Sequence, residues 1–236
     1  MSLTAVVGLS LGTAAMTVVL SAFAGLENLI LEQFEDANPT LKVSPSRGQF
    51  LELTPQDSLE LAQLTATYPE TQILPIFQKR VLLTYGENQH IAQLLGVPPS
   101  YEEAHRLPEH LITQADPGLD FGGYTLSLGA GVAYHLGIAS TNPPPIVSVY
   151  LPKITEQTNV LNIAEAIDGV NVFATAVHSL QPDFDQKYII APEAWMKEFT
   201  GQSQPSFLEI HTPEESQMRD ELSELFGSEV KIANAI

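Results

Sequence analysis

The sequence predicts an α+β protein. An N-terminal transmembrane and stalk helix leads into an extracytoplasmic core domain of mixed sheets with strand–helix–strand units, arranged in two subdomains. Three observations predict it. Residues 3–24 contain no Asp, Glu, Lys, Arg, His, Asn or Gln, an apolar run that matches the ~20 residues a helix needs to span hydrocarbon. Beyond residue 38, short apolar stretches alternate with helical patterns that begin at capping residues and stop at Pro or Gly. The 44% hydrophobic content supplies real cores for a segment of that length.

The first element sets the boundaries. Ala22-Phe23-Ala24 has the small-x-small form of a signal cleavage site, but no Lys or Arg precedes the apolar run. The helical pattern also continues past it. Leu26, Leu29, Ile30 and Phe34 recur at helical spacing, with Glu27, Glu32, Glu35 and Asp36 on the other side, until Asn38-Pro39. One continuous helix over residues 3–37 is therefore expected, giving a membrane and stalk segment 1–38 and a core domain 39–236. Gly8 and Gly12 form a Gly-x-x-x-Gly pair with Ala15 further along the same face, a spacing that lets a second helix approach closely. Glycine is also simply common in membrane helices. The run starts at Leu3 with nothing ahead of it, which predicts a fragment of a longer protein. Acidic residues follow the helix and the first basic residue is Lys42, so residues after about 25 are expected on the exported side.

Residues 41–43 and 50–53 read as short strands around a Ser-Pro-Ser-Arg-Gly turn. Thr54-Pro55-Gln56-Asp57 opens a helix as cap, first-turn proline and capping acid, and Tyr68-Pro69 ends it. Residues 73–77 and 80–85 are separate apolar segments, and a short helix is predicted up to Val97, before Pro98-Pro99. A helix is expected near residues 101–111. Strands follow at 124–128, 146–151, 170–177 and 188–190, with a helix between the first two that buries Val132, Ala133 and Leu136 and closes at Gly137. A helix from Pro192 buries Trp195, Met196 and Phe199 and stops at Gly201. The last unit is a strand at 207–210, a capping box Thr212-Pro213-Glu214-Glu215, a helix with Met218, Leu222, Leu225 and Phe226 inward, and a strand at 229–232. Residues 152–169 fit no periodic strand and are predicted to be a protruding insertion. Its Lys153, Val160, Leu161, Ile163 and Ile167 are candidate partner-binding residues, with packing on the domain's own core as the alternative.

Composition excludes several function classes. With 28 acidic and 10 basic residues the formal charge is −18, which repels nucleic acid and anionic lipid surfaces. No cysteine occurs, so disulfides, thiolate metal sites and Cys nucleophiles are absent. His105 and His110 stand among Glu102, Glu103 and Glu109, but the spacing matches no zinc signature and Pro108 interrupts the helix; a solvated charged loop is the expectation. Asp183 and Asp185 are read as turn residues before a strand rather than as a catalytic pair. No phosphate-binding loop, nucleophile elbow or His-Glu-x-x-His motif occurs. The expectation is a binding or transmission module, not an enzyme, with no catalytic residue, cofactor or metal.

Residues 6–28, a small-residue-rich helix ending in Leu20-Ser21, then Phe23, Gly25 and an acidic stalk, resemble the opening of permease subunits of lipoprotein-releasing ABC transporters. Leu126 to Gly129 and Ala133 to Ile138 resemble that family's glycine-bounded helix. Val147 to Lys153 resembles the strand before its variable insertion, and Gln181 to Ile190 a later strand. Thr141 to Pro145 departs from the Gly-Asp that the family often carries there. Macrolide exporters and cell-division permeases share the architecture. The resemblance implies a bacterial inner-membrane permease whose core lies in the periplasm. Its implied partners are a cytoplasmic ATPase subunit, a second permease copy or paralogue, a lipoprotein substrate and a periplasmic lipoprotein chaperone. In that family a hook near residues 152–169 holds the chaperone.

Overall fold

The computed structural model describes residues 10–26, 39–116, 123–152 and 167–234. Residues 10–26 form helix α1, uninterrupted across Ala22 to Gly25. The predicted continuation over 27–37 lies outside the described residues, as does Gly8.

Among the described residues the core has ten strands in one hydrogen-bonded system. Its first part is built from β1 (Leu41–Pro45), α2 (Pro55–Thr67), the start of β2 (Gln72–Tyr85), β9 (Phe207–His211), α7 (Glu215–Phe226) and β10 (Val230–Asn234). Here β1 lies antiparallel to both β9 and β10, and β9 also pairs antiparallel with Gln72–Ile76 of β2. The order β10-β1-β9-β2 makes two interleaved split strand–helix–strand units, a ferredoxin-like sheet. Leu41 and Val43 of β1, Leu208 and Ile210 of β9, Leu61 of α2 and Met218 and Leu222 of α7 bury one face. The helix α2 starts as the sequence dictates: Thr54 accepts from the Asp57 amide while Asp57 accepts from the Thr54 amide.

The second part is inserted between β2 and β9. It contains β3 (Asn88–Val97), α3 (Tyr101–Ala104), a single 3₁₀ turn (Leu107–His110), β4 (Leu111–Gln114), β5 (Thr125–Gly129), α4 (Ala130–Leu136), β6 (Ile146–Pro152), β7 (Ile167–His178), α5 (Pro182–Asp185), β8 (Tyr188–Pro192) and α6 (Glu193–Thr200). From Phe77 onward β2 pairs with β3, β3 with β8, β8 with β5, β5 with β7, β7 with β6, and β6 returns to Leu82–Thr84 of β2. The ladder closes into a six-stranded ring around an apolar cluster that includes Leu83, Leu94, Leu126, Leu128, Val149, Val172 and Ile189, to which α4 adds Val132, Ala133 and Leu136. Gly137 ends α4 at φ 75°, a left-handed conformation that favours glycine.

Five sequence expectations are corrected. Residues 73–77 and 80–85 are one strand, which tolerates Pro75 because β3 pairing begins only at Phe77. The helix predicted before Val97 is strand β3. Its Ile91, Leu94 and Leu95 have helix-like spacing, but Ala92 and Leu94 face the ring interior while Leu95 and Val97 join another core, so both strand faces are apolar. Residues 50–53 form no strand; Leu51 donates to the Pro205 carbonyl and Leu53 to the Gln204 side chain instead. The helix expected over 101–111 splits into α3 and the 3₁₀ turn, because Arg106 takes a left-handed φ of 45°. Thr212 is not the cap of α7: its hydroxyl accepts from the Glu214 amide and bonds to Thr71, and the helix begins at Glu215.

Candidate functional site

Three places in the molecule carry more than packing, and the first is α1. Its described residues are all exposed, including Leu11, Phe23 and Leu26. Thr13 and Thr17 turn their hydroxyls back onto the carbonyls of Ser10 and Thr13, so these polar groups are satisfied within the helix, as an apolar surrounding demands. A Cβ added at Gly12 meets nothing within 4 Å. No described residue of the chain packs against Gly12, and Gly8 lies outside the described residues. Among the described residues no helix is long and apolar enough to cross a membrane; the run predicted to do so includes residues 3–9, which lie outside them.

The second is the end of the β6–β7 hairpin. The strands stay in register from Ile146↔Phe173 to Pro152↔Ile167, two pairs beyond the last contact of β6 with β2. This corrects the expected insertion. Ile167 belongs to a strand rather than to an irregular segment, and the connection between the strands is residues 153–166. Lys153, Val160, Leu161 and Ile163 lie outside the described residues.

The third is the junction between the two parts of the core, where the chain from Pro98 to His110 crosses from the ring to the far face of the small sheet. Tyr101 and Leu107 pack there with Leu74, Ile76, Phe207, Leu95, Val97, Leu180 and Ile190. On one side of this segment opens a cleft of about 460 Å³, walled by Val97, Pro98, Leu107, Ala176, Ile190 and Pro192 among others, with Glu102, Gln114, Thr125, Ser127, Thr175 and Glu193 as polar members. The Ser127 hydroxyl lies 2.8 Å from His178 Nδ1. His178 is fully buried, its Nε2 has no hydrogen-bond partner, and burial, reinforced by His110, lowers its pKa to about 4. A neutral histidine beside a serine is the beginning of a nucleophilic pair. Among the described residues it has no orienting carboxylate: Asp185, the nearby buried acid, instead accepts from the Ser179 hydroxyl and the Leu180 amide, each at 3.0 Å, and burial raises its pKa.

On the other side of the segment, His105 turns inward. It stacks on Tyr101 with ring centroids 4.0 Å apart and places Nε2 3.1 Å from Glu209 Oε2. The His211 ring meets His105 edge-on at 4.8 Å. Glu209 and His211 are two residues apart on β9 and so share the sheet face opposite α2 and α7. Burial, followed by the neighbouring His105, lowers the His211 pKa to about 4 against an opposing pull from Glu209. Burial also lowers the pKa of Lys42, the cross-strand partner of Glu209, and raises that of the Tyr101 hydroxyl.

The sequence-predicted candidates scatter. Of His105, His110, Glu102, Glu103 and Glu109, only His105 enters the buried cluster, while the three glutamates are exposed. Asp183 is exposed and Asp185 buried, so they do not act as a pair. Glu209, His211, Ser127 and His178 were not singled out from the sequence. The one signal for the first two was a Glu-x-His pattern within an otherwise apolar strand.

Residues 2–181 match the sequence family described as the MacB-like periplasmic core domain. No curated protein matches the chain. Among solved structures, the chain is similar to the extracellular domain of the noncanonic ABC-type transporter YknZ from Gram-positive bacteria. That likeness has a TM-score of 0.52 at 14% identity over 82% of this chain and 99% of that one. It is also similar to the periplasmic region of MacB from Actinobacillus actinomycetemcomitans, with a TM-score of 0.53 at 12% identity over 83% of this chain and 88% of that one. Likeness at these identities concerns the fold.

Proposed function

The chain belongs to the family of MacB-like periplasmic core domains, domains of ABC transporter permeases that work with a cytoplasmic ATPase, and from that premise we propose that it serves lipoprotein release. In this reading the permease subunit sits in a bacterial inner membrane, residues after about 25 lie in the periplasm, and a second permease copy or paralogue packs against the Gly8–Gly12 face. ATP hydrolysis outside this chain moves the membrane helix, the stalk carries the motion to the core, and the core passes an extracted lipoprotein to a soluble periplasmic chaperone. No residue here performs chemistry.

The observation that carries the lipoprotein reading is the β6–β7 hairpin. Pairing persists to Pro152 and Ile167, so residues 153–166 leave and return at a single braced point. A connection of that length on rigid strands is suited to holding a partner. Leu161 and Ile163 are its anchors, and buried anchors typically cost more than ~1 kcal/mol each when truncated. Changing both to Ser is expected to weaken chaperone binding roughly tenfold or more while leaving Tm unchanged. The reading fails if the pair destabilises the core and the folded fraction binds normally.

A second reading, efflux of a small hydrophobic compound, is favoured by the apolar cleft beside Leu107 and Ile190. Vesicles containing the permease, its ATPase and either a lipoprotein with chaperone or a hydrophobic drug separate the two. ATP-dependent appearance of lipoprotein in the soluble fraction supports the first reading, and drug transport without it overturns that reading.

A further inference from the structure

We propose that His105, Glu209 and His211 form a binding site for one divalent transition-metal cation of the zinc class, which clamps the segment 98–110 to the small sheet. The ligand atoms of the three side chains already lie within 4.8 Å of one another. Two imidazole nitrogens and one carboxylate suit zinc, nickel or iron, and are a poor set for magnesium or calcium, which prefer oxygen alone. The set comes from distant parts of the chain: β9 supplies Glu209 and His211, while His105 is turned inward at the left-handed break before the 3₁₀ turn.

A hydrogen-bonded His105–Glu209 pair by itself would need no metal. What points to a ligand is what the pair leaves over. Among the described residues, His211 Nε2 is buried with no hydrogen-bond partner, and so is Oε1 of Gln72, the cross-strand neighbour of His211 on β2. Antiparallel partners in register share a sheet face, so both atoms belong to the surface on which Glu209 lies. A buried polar atom without a partner is destabilising and rare in native structures, and here two belong to cross-strand neighbours. A cation on His211 Nε2, Glu209 and His105 that keeps a water as its remaining ligand satisfies both, since the water can donate to Gln72 Oε1.

Lys42 provides an internal check. Its side chain shares the same face beside Glu209, with its ammonium 3.6 Å from the centroid of the Phe207 ring, so it competes electrostatically with any cation. Removing that charge strengthens metal binding, an effect that general damage to the fold cannot imitate.

The test uses the full chain purified in detergent and stripped with a chelator. Zinc stoichiometry is read by elemental analysis, affinity by competition with a chromophoric chelator, and coordination by the visible absorption of cobalt(II). One zinc per chain is expected. His211→Gln and Glu209→Gln are each expected to weaken it by about 100-fold or more, at or beyond the upper end of what loss of an outer partner costs. Lys42→Gln is expected to tighten it several-fold. The double change His90→Ala with His135→Ala removes a stacked imidazole pair at 4.8 Å on the ring and should leave affinity unchanged. Absence of a stoichiometric zinc in the unaltered chain overturns the proposal, as does unchanged affinity in folded His211→Gln or loss of zinc in the His90 and His135 double variant. If His211→Gln fails to fold, Glu209→Gln and Lys42→Gln decide, and weaker or unchanged binding in folded Lys42→Gln counts against the site.

Discussion

The interior of the six-stranded ring and the junction beside it are buried to similar depth, but they hold different kinds of side chain. The ring cluster runs from Phe77 through Leu94, Leu128 and Val149 to Met196 and is built of apolar side chains. The helix-covered core under α2 and α7 is equally apolar. Among the described residues, the buried titratable polar groups His105, His178, Asp185 and Glu209 all lie around the junction, in contact with Tyr101, Phe184 or their neighbours. Closed cores obtain their stability from apolar burial and shape, which are indifferent to pH and ligands. The junction holds His178 and Asp185, whose charged forms burial disfavours, so its stability responds to pH.

The strongest way to break the comparison is a cavity in the ring. Leu128→Ala removes a fully buried side chain and should cost about 2–5 kcal/mol, equally at pH 7 and pH 5, by denaturant unfolding. A cost that varies with pH would mean that the ring is not independent of the junction.

Acid should act on the junction more than on the ring interior. The folded-state pKa of His178 is lowered to about 4 from the 6.5 of an exposed histidine, so its contribution is fully present above pH 6.5 and is lost as pH falls toward 4. The expected loss is on the order of 3 kcal/mol. His211 shifts in the same direction. Asp185, raised by burial, works oppositely, favouring the folded state below its ordinary carboxylate pKa and losing that contribution as pH rises through the folded value. Stability curves of the unaltered chain and of His178→Gln should converge as pH drops from 7 to 4. Parallel curves would remove His178 as the acid-sensitive group.

Two smaller effects sharpen the contrast with purely local structure. Thr54→Ala removes the capping box of α2 and should cost about 1 kcal/mol at pH 7, measured by thermal unfolding. Gly12→Ile should leave the core's Tm unchanged, because the space beside Gly12 is open, while lowering self-association of the chain in detergent. Unaltered association would show that the small-residue face packs against nothing.

Several elements were legible from short range because their causes are short range. Thr54 and Asp57 lie three residues apart, and Gly137 and Gly201 each end a helix through their own backbone freedom, with φ of 75° and 68°. The apolar run of α1 needs no partner to be recognised, and alternation within the terminal strand–helix–strand unit exposes its two faces. Strand β3 was hidden for the opposite reason. Buried on both sides, it lost the period-two pattern and imitated a helix. Thr212 matched a capping motif but was taken by Thr71, a residue 141 positions away. His105 was seen and its partners were not, because Glu209 lies 104 residues further on and reaches it only when the ring is inserted into the small sheet. Helix ends and membrane-length runs follow from neighbours along the chain, whereas strand pairing and the grouping of buried charges are chosen by which distant surfaces meet, and that choice belongs to the tertiary structure.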